Sequence, residues 1–133
     1  MAYYERVEHT ADLAIRVWGK DLPALFVHAA GALFAMMAEP PADASIARSI
    51  VVESLDLEAL LVDWLNELIY QHEVEGETYA DFRIDAFAPT RIAATALGGP
   101  TVRKLKTIKA ATFHDLAITE TGQGVEAHLV FDV

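Results

Sequence analysis

Tyr79-Ala80-Asp81-Phe82-Arg83-Ile84-Asp85-Ala86, followed by Ile92-Ala93-Ala94-Thr95-Ala96, is the stretch that decides the fold. Phe82, Ile84 and Ala86, then Ile92, Ala94 and Ala96, put an apolar residue at every second position, the period of a half-buried strand. The β pattern holds to the end of the chain. Gly98-Gly99-Pro100 reads as a turn, Ile108 to Thr119 as a strand, Thr121-Gly122 as a second turn, and Val125 to Val133 as a final strand. Successive strands joined by short turns pair antiparallel.

Upstream, residues 3–19 read as a β segment, with Leu13, Ile15 and Val17 on one parity and Asp12, Ala14, Arg16 and Trp18 on the other. Gly19-Lys20-Asp21 interrupts it. Asp21 is a natural N-cap with Pro23 in the first helical turn, and Leu22, Leu25, Phe26, Ala29, Leu33, Phe34 and Met37 follow at helical spacing until Pro40-Pro41. A strand from Ala47 to Ser54 comes next, carrying Ile50 and Val52 on one face. Asp56 then caps a helix whose inner stripe is Leu57, Leu60, Leu61, Trp64, Leu65, Leu68 and Ile69, with Asp63, Asn66 and Glu67 outside, fading by Gly76. The expected fold is α+β, two buried helices packed on a largely antiparallel sheet of about six strands, in a single domain spanning residues 1–133.

The chain has 133 residues, 53% of them hydrophobic, and a mean hydropathy of +0.25, so it can bury a sizeable core. It contains no cysteine, which fits a reducing compartment. Met1-Ala2-Tyr3-Tyr4-Glu5-Arg6 lacks the layout of a signal peptide, and no apolar run approaches the roughly 18 residues of a membrane span. A soluble, cytoplasmic protein with no membrane association is the expectation. The formal charge of −10 argues against high-affinity binding to nucleic acid, whose phosphates are met by Lys and Arg. The acids are absent from Ala86 through His114, a stretch that holds Arg91, Arg103, Lys104, Lys106 and Lys109. Either these cations are a solvated strand edge guarded against aggregation, or they dock an acidic partner.

The carboxylates are the most telling chemistry. Glu8-His9-Thr10-Ala11-Asp12 lies near one end and Phe131-Asp132-Val133 at the other. With Val133 last, the terminus offers a side-chain carboxylate beside an α-carboxylate. Met by a third carboxylate, that is the hard-oxygen set suited to Ca²⁺, Mg²⁺ or Mn²⁺. Holding two negative groups together requires a cation, Lys109 or a run of backbone N–H groups. His9 and Asp12 are three apart and on a regular strand would face opposite ways, as would His114 and Asp115. His28 and His72 read as structural, Trp18 and Trp64 as core, and Ser45, Ser49 and Ser54 lack the surroundings of a nucleophile.

Several segments in this order resemble the archease family nearly end to end. They are Glu8-His9-Thr10-Ala11-Asp12 with Gly19 closing the strand, Leu25-Phe26…Ala29-Ala30…Leu33-Phe34, Leu60-Leu61-Val62-Asp63-Trp64-Leu65-Asn66-Glu67, Ile108-Lys109-Ala110-Ala111-Thr112-Phe113-His114, and Asp132-Val133. The resemblance implies a non-enzymatic accessory protein. It would act on the GTP-dependent RNA ligase that joins 3′-phosphate or 2′,3′-cyclic phosphate ends to 5′-hydroxyls in tRNA splicing and RNA repair. There it would promote guanylylation of the ligase histidine and multiple turnover. It further implies that Asp12, Asp132 and the Val133 carboxylate hold a divalent metal, calcium foremost with magnesium or manganese as alternatives, and that Lys109 is the functional lysine. His9 and His114 match motif positions without an assigned role. Residues 98–107 are shorter and more basic than the family's acidic, His-containing stretch; Phe113 stands for tyrosine and Val133 for isoleucine. A chaperone-like binding module, and a metal-dependent phosphoester hydrolase using Asp12, Asp132 and His114, are the competing functions.

Overall fold

The computed structural model describes residues 3–7 and 12–133. In chain order these form β1 (Tyr4–Val7), β2 (Leu13–Gly19), α1 (Leu22–Met37), β3 (Ile46–Glu53), α2 (Leu57–Glu75), β4 (Glu77–Ala88), β5 (Arg91–Pro100), β6 (Ala110–Thr121) and β7 (Gly124–Asp132). The α+β expectation holds, with seven described strands divided between two sheets. One sheet runs β1-β2-β7-β6 and the other β3-β5-β4, every pairing antiparallel. The additional strand arises because the segment read as one β run is two, β1 pairing back onto β2 with Tyr4 opposite Val17.

Both helices begin where their sequences dictate. The Asp21 carboxylate accepts from the Ala24 N–H at 2.9 Å and the Asp56 carboxylate from Ala59 at 2.8 Å, satisfying first-turn donors that no helical carbonyl can reach. At its other end α2 stops at Gly76, whose φ of +67° is the left-handed cap that glycine adopts without strain. Helix α1 packs on β2 and β4, and α2 on β6, so the helices bridge the two sheets. Trp64 is fully buried, and its indole N–H donates to the Phe26 carbonyl at 3.1 Å, tying α2 to α1. Trp18, by contrast, is not core: it is half-buried beneath the Arg16 guanidinium, 6.0 Å from the ring centroid.

Gly98-Gly99-Pro100 is not a turn. These residues finish β5, where Gly98 pairs with Ile46 on one side and Tyr79 on the other. The chain then runs through residues 101–109 along the end of α1, held by Leu105 N–H to the Met37 carbonyl at 2.8 Å. Three of the five cations of the basic stretch meet counter-charges: Arg91, at the start of β5, pairs with Glu53, Arg103 with Glu39 and Lys104 with Glu73, all at 3.2–3.3 Å. Those pairings favour the solvated-edge reading over an acidic-partner patch.

A buried polar cluster pins β3 to β4. Glu77, 6% exposed, accepts the Arg48 guanidinium fork on both carboxylate oxygens and the Tyr79 hydroxyl on one. The Arg48 hydrogen bonds hold the Glu77 carboxyl below its ordinary range, against the opposing effect of burial. Burial first, then the neighbouring carboxylate, push the Tyr79 phenol upward. A carboxyl whose native pKa is depressed binds fewer protons folded than unfolded, so its stability is present above the unfolded value, about 4.3, and lost as pH falls through the native one. Urea midpoints of wild type and Glu77→Gln should therefore differ most at neutral pH and converge below about pH 4. A constant gap down to acid would remove Glu77 from this role.

Candidate functional site

The start of β2 and the end of β7 meet through sheet register. Leu13 lies opposite Phe131 in the β2–β7 pair. The ladder ends there; continued by one step, the same register would set Asp12, in the bend entering β2, opposite Asp132, at the end of β7. Directly opposed residues of an antiparallel pair have Cα atoms about 5 Å apart. Leu13 and Phe131 face the core, so alternation turns Asp132 to the outer face, where it is exposed. On the other side of β7, Ala110 pairs with Asp132, and the Lys109 N–H donates to the Asp132 carbonyl at 2.8 Å. Lys109 is exposed just ahead of β6, and Val133 is half-buried against the core. Asp12, Asp132, Val133 and Lys109 thus converge on one end of three adjacent strands. His9 lies outside the described residues.

The donors are of the right kind for a hard divalent cation: an exposed carboxylate at Asp132 and a half-buried one at Asp12. Among the described residues, no group of three or more His, Asp or Glu side chains is placed to hold a metal ion. Asp12 and Asp132 therefore fit such an ion only with a further oxygen donor, the role that the resemblance gives to the Val133 carboxylate.

His114 and Asp115 depart from the expected geometry. Thr112 pairs with Val130 and Ala117 with His128, so Phe113, His114, Asp115 and Leu116 all stand against Leu129. In this bulge Asp115 has φ +52°, and the two adjacent side chains meet, His114 Nε2 lying 3.4 Å from Asp115 Oδ2. A regular strand would have sent them to opposite faces. His28 and His72, read as structural, each bond a backbone carbonyl. His28 Nδ1 donates to the Trp18 carbonyl at 2.8 Å, and buried His72 donates to the Glu77 carbonyl at 2.8 Å.

One contributor escaped the sequence reading. Asn66, assigned above to the outer face of α2, accepts from the Ala111 N–H at 2.7 Å and donates to the Ala111 carbonyl at 3.2 Å. Its amide takes the place of a neighbouring strand on edge strand β6, two residues beyond Lys109. The available signal was an asparagine inside a helix, where it is a poor former and earns its place through its amide. A cavity of about 730 Å³ opens at the opposite end of β2 and β7, beside Trp18, Lys20, His28 and Gln123. Its Arg16 is already engaged by Glu5 and Glu126, and it touches none of the converging residues.

In fold this is an acidic α+β protein whose candidate carboxylates lie at an open sheet end rather than inside an enclosed pocket. No described helix is long and apolar enough to cross a membrane. The chain belongs to the archease family, as the match of residues 4–133 to the archease protein family (MTH1598/TM1083) establishes. It is 37% identical to an archease of Methanosarcina barkeri over 98% of this chain and 95% of that protein. An archease of Methanopyrus kandleri is 33% identical over 96% of this chain and 97% of its own length. Among solved structures, protein 1598 of Methanobacterium thermoautotrophicum superposes with a TM-score of 0.80 at 28% identity, covering 100% of both chains. A Thermotoga maritima archease, described as a possible chaperone, shares the fold with a TM-score of 0.71 at 22% identity, over 97% of this chain and 96% of that one.

Proposed function

We propose that this protein is a non-enzymatic, metal-binding activator of the GTP-dependent RNA ligase. It would promote ligase guanylylation and multiple turnover during tRNA splicing or RNA repair in the cytoplasm. The observation that supports this reading is the β2–β7 register, whose last pair, Leu13 opposite Phe131, stands next to Asp12 and Asp132, with the Lys109 N–H bonded to the Asp132 carbonyl.

Guanylylation gathers a triphosphate, its counter-ions and a histidine nucleophile in one crowded site, where positioning and charge neutralisation carry most of the catalysis. Asp12, Asp132 and the Val133 carboxylate hold the divalent ion, calcium foremost, with magnesium or manganese as alternatives. When bound, that ion supplies charge neutralisation for phosphate oxygens. The chain's own groups do the rest. The paired strands fix the spacing of the two aspartates, and Lys109 offers its ammonium to a phosphate from the adjoining edge. Asn66 holds the start of β6 against α2, so Lys109 and Asp132 move as one body. No nucleophile is asked of this chain, because the reacting histidine belongs to the ligase.

The test is a ligation time course with RNA in excess over the cognate ligase, with and without this protein. Turnover number should rise above one only when the protein is present. An unchanged time course would sink the activator reading. The chaperone-like reading takes its support from the Thermotoga relative's description, and predicts protection of unrelated unfolded clients from aggregation. Light scattering of such a client, with and without the protein, separates the two.

A further inference from the structure

The start of β6 is cut off on both sides. Its ladder with β7 opens with three pairs, Ala110 with Asp132, Ala111 with Phe131 and Thr112 with Val130, then breaks and resumes only at Ala117 opposite His128. Ahead of Ala110 the chain is irregular from residue 105 to 109. Residues 110–112 are therefore an island of ladder on an edge strand, with β7 on one flank and no strand on the other. Three pairs on one flank hold weakly, since even a whole two-stranded ribbon is marginal in water.

Asn66 supplies the missing flank. Its half-buried amide accepts from the Ala111 N–H at 2.7 Å and donates to the Ala111 carbonyl at 3.2 Å, the reciprocal pair that a neighbouring strand would make at the middle of the island. An amide presents a donor and an acceptor side by side, as a peptide group does; aspartate keeps only the acceptor, and alanine offers neither. The grip bears directly on Lys109. Ile108 is fully buried and Ala111 is 4% exposed, so exposed Lys109 lies between two anchored residues, with its N–H on the Asp132 carbonyl at 2.8 Å. Asp132 depends less on the clamp, because β7 is also held from its far side by β2 as far as the Leu13–Phe131 pair.

Resting on the ligase reading, we propose that Asn66 is a positioning residue for activation, clamping the 110–112 island so that the Lys109 ammonium meets a phosphate from a fixed backbone. It acts through Lys109 and leaves the carboxylates undisturbed. That division separates it from a residue that only stabilises the fold. Loss of the clamp should loosen residues 109–111 locally and lower activation, with divalent-metal affinity and the rest of the fold kept. A merely structural residue would weaken all of these together.

The experiment compares wild type, Asn66→Ala and Asn66→Asp by amide hydrogen exchange, calcium calorimetry, and turnover number of the cognate ligase across protein concentrations. In Asn66→Ala the Lys109 and Ala111 amides should exchange about tenfold faster or more, the effect of two lost hydrogen bonds. The amides of Leu33 and Phe34, buried in α1, should keep their wild-type protection. Maximal turnover should fall, while calcium affinity stays within about twofold of wild type because no oxygen donor is touched. Asn66→Asp, which keeps the acceptor and loses the donor, should lie between wild type and Asn66→Ala in both exchange and turnover. Wild-type exchange at Lys109 and Ala111 in Asn66→Ala overturns the clamp, a result read on this protein alone. Loosened amides with undiminished activation overturn the positioning role and leave the ligase reading standing. Loss of α1 protection or of calcium affinity in step with turnover makes Asn66 structural and overturns the role as well. A wild-type protein that does not activate overturns the ligase reading, and the role of Asn66 in activation with it.

Discussion

Gly98→Val should lose most of the protein's stability, while Gly31→Ala, a comparable gain of side chain, should add to it. A Cβ at Gly98 would lie 2.0 Å from the Thr78 carbonyl oxygen and 2.7 Å from the Tyr79 Cα. Both are backbone atoms of β4, hydrogen-bonded in register with β5, so neither can swing aside as a flexible side chain would. Relief requires the two strands to part, next to the Glu77 cluster and the aromatic packing of Phe34, Tyr79 and Phe82. Overpacking a tight site typically costs about 1–3 kcal/mol, and a clash with immovable backbone belongs at or beyond the upper end. Gly31 is an exposed position inside α1 with nothing within 4 Å of its added Cβ, so alanine there gains about 1 kcal/mol of helix propensity. Urea unfolding of the two variants should move in opposite directions from wild type. A Gly98→Val protein with an unshifted midpoint would mean that β4 and β5 are not packed as described.

That same glycine marks where sequence reading stops. Features set by neighbours in the chain were legible: the Asp21 and Asp56 caps, the Gly76 stop, the inner stripes of both helices and the alternation of β5. That of β4 was legible as far as Ile84, where an irregularity in the pairing leaves Ala86 exposed and turns Phe87 to the core instead. Gly98-Gly99-Pro100 was misread because glycine and proline are turn formers locally, whereas here β4 demands the missing side chain across the sheet. The bulge at 113–116 was invisible for a related reason. Extra residues are countable only against a known partner strand, and β7 supplies that count. His114 and Asp115 were set apart by strand alternation, yet the left-handed turn at Asp115 brings them together. Asn66 looked like solvent-facing polarity because a helix period cannot tell water from the edge of β6. The candidate site follows the same division. The chemistry of Asp12 and Asp132 was readable as hard-oxygen donors, but their adjacency depends on β2 pairing with β7 across the length of the chain. Only the resemblance to a family suggested it beforehand.

Removing either aspartate should abolish activation of the ligase while leaving the fold intact. Asp132 is exposed, and the bond that fixes Lys109 is accepted by its backbone carbonyl, which alanine retains. The core contacts of Phe131 and the Ala110 pairing likewise survive the substitution, so thermal melts of Asp132→Ala and wild type should overlay. What disappears is one of the two carboxylates on adjacent strands, leaving too few oxygen donors to hold a divalent ion against water. Changes even to groups that support metal ligands typically cost about 10–100-fold in affinity or activity, and loss of a ligand itself should reach at least that range. Turnover number with Asp132→Ala or Asp12→Ala should therefore fall to that of the ligase alone. Calorimetric titration with Ca²⁺, Mg²⁺ or Mn²⁺ should show binding to wild type and none to either variant. Lys109→Ala offers the contrast: it removes the cation proposed to meet a phosphate without touching the donors, so metal binding should persist while activation drops. If both aspartate variants activate as well as wild type, the carboxylate end is not the working part of this protein. If they bind metal normally yet fail to activate, the carboxylates act on the partner directly, as acceptors for its cationic groups.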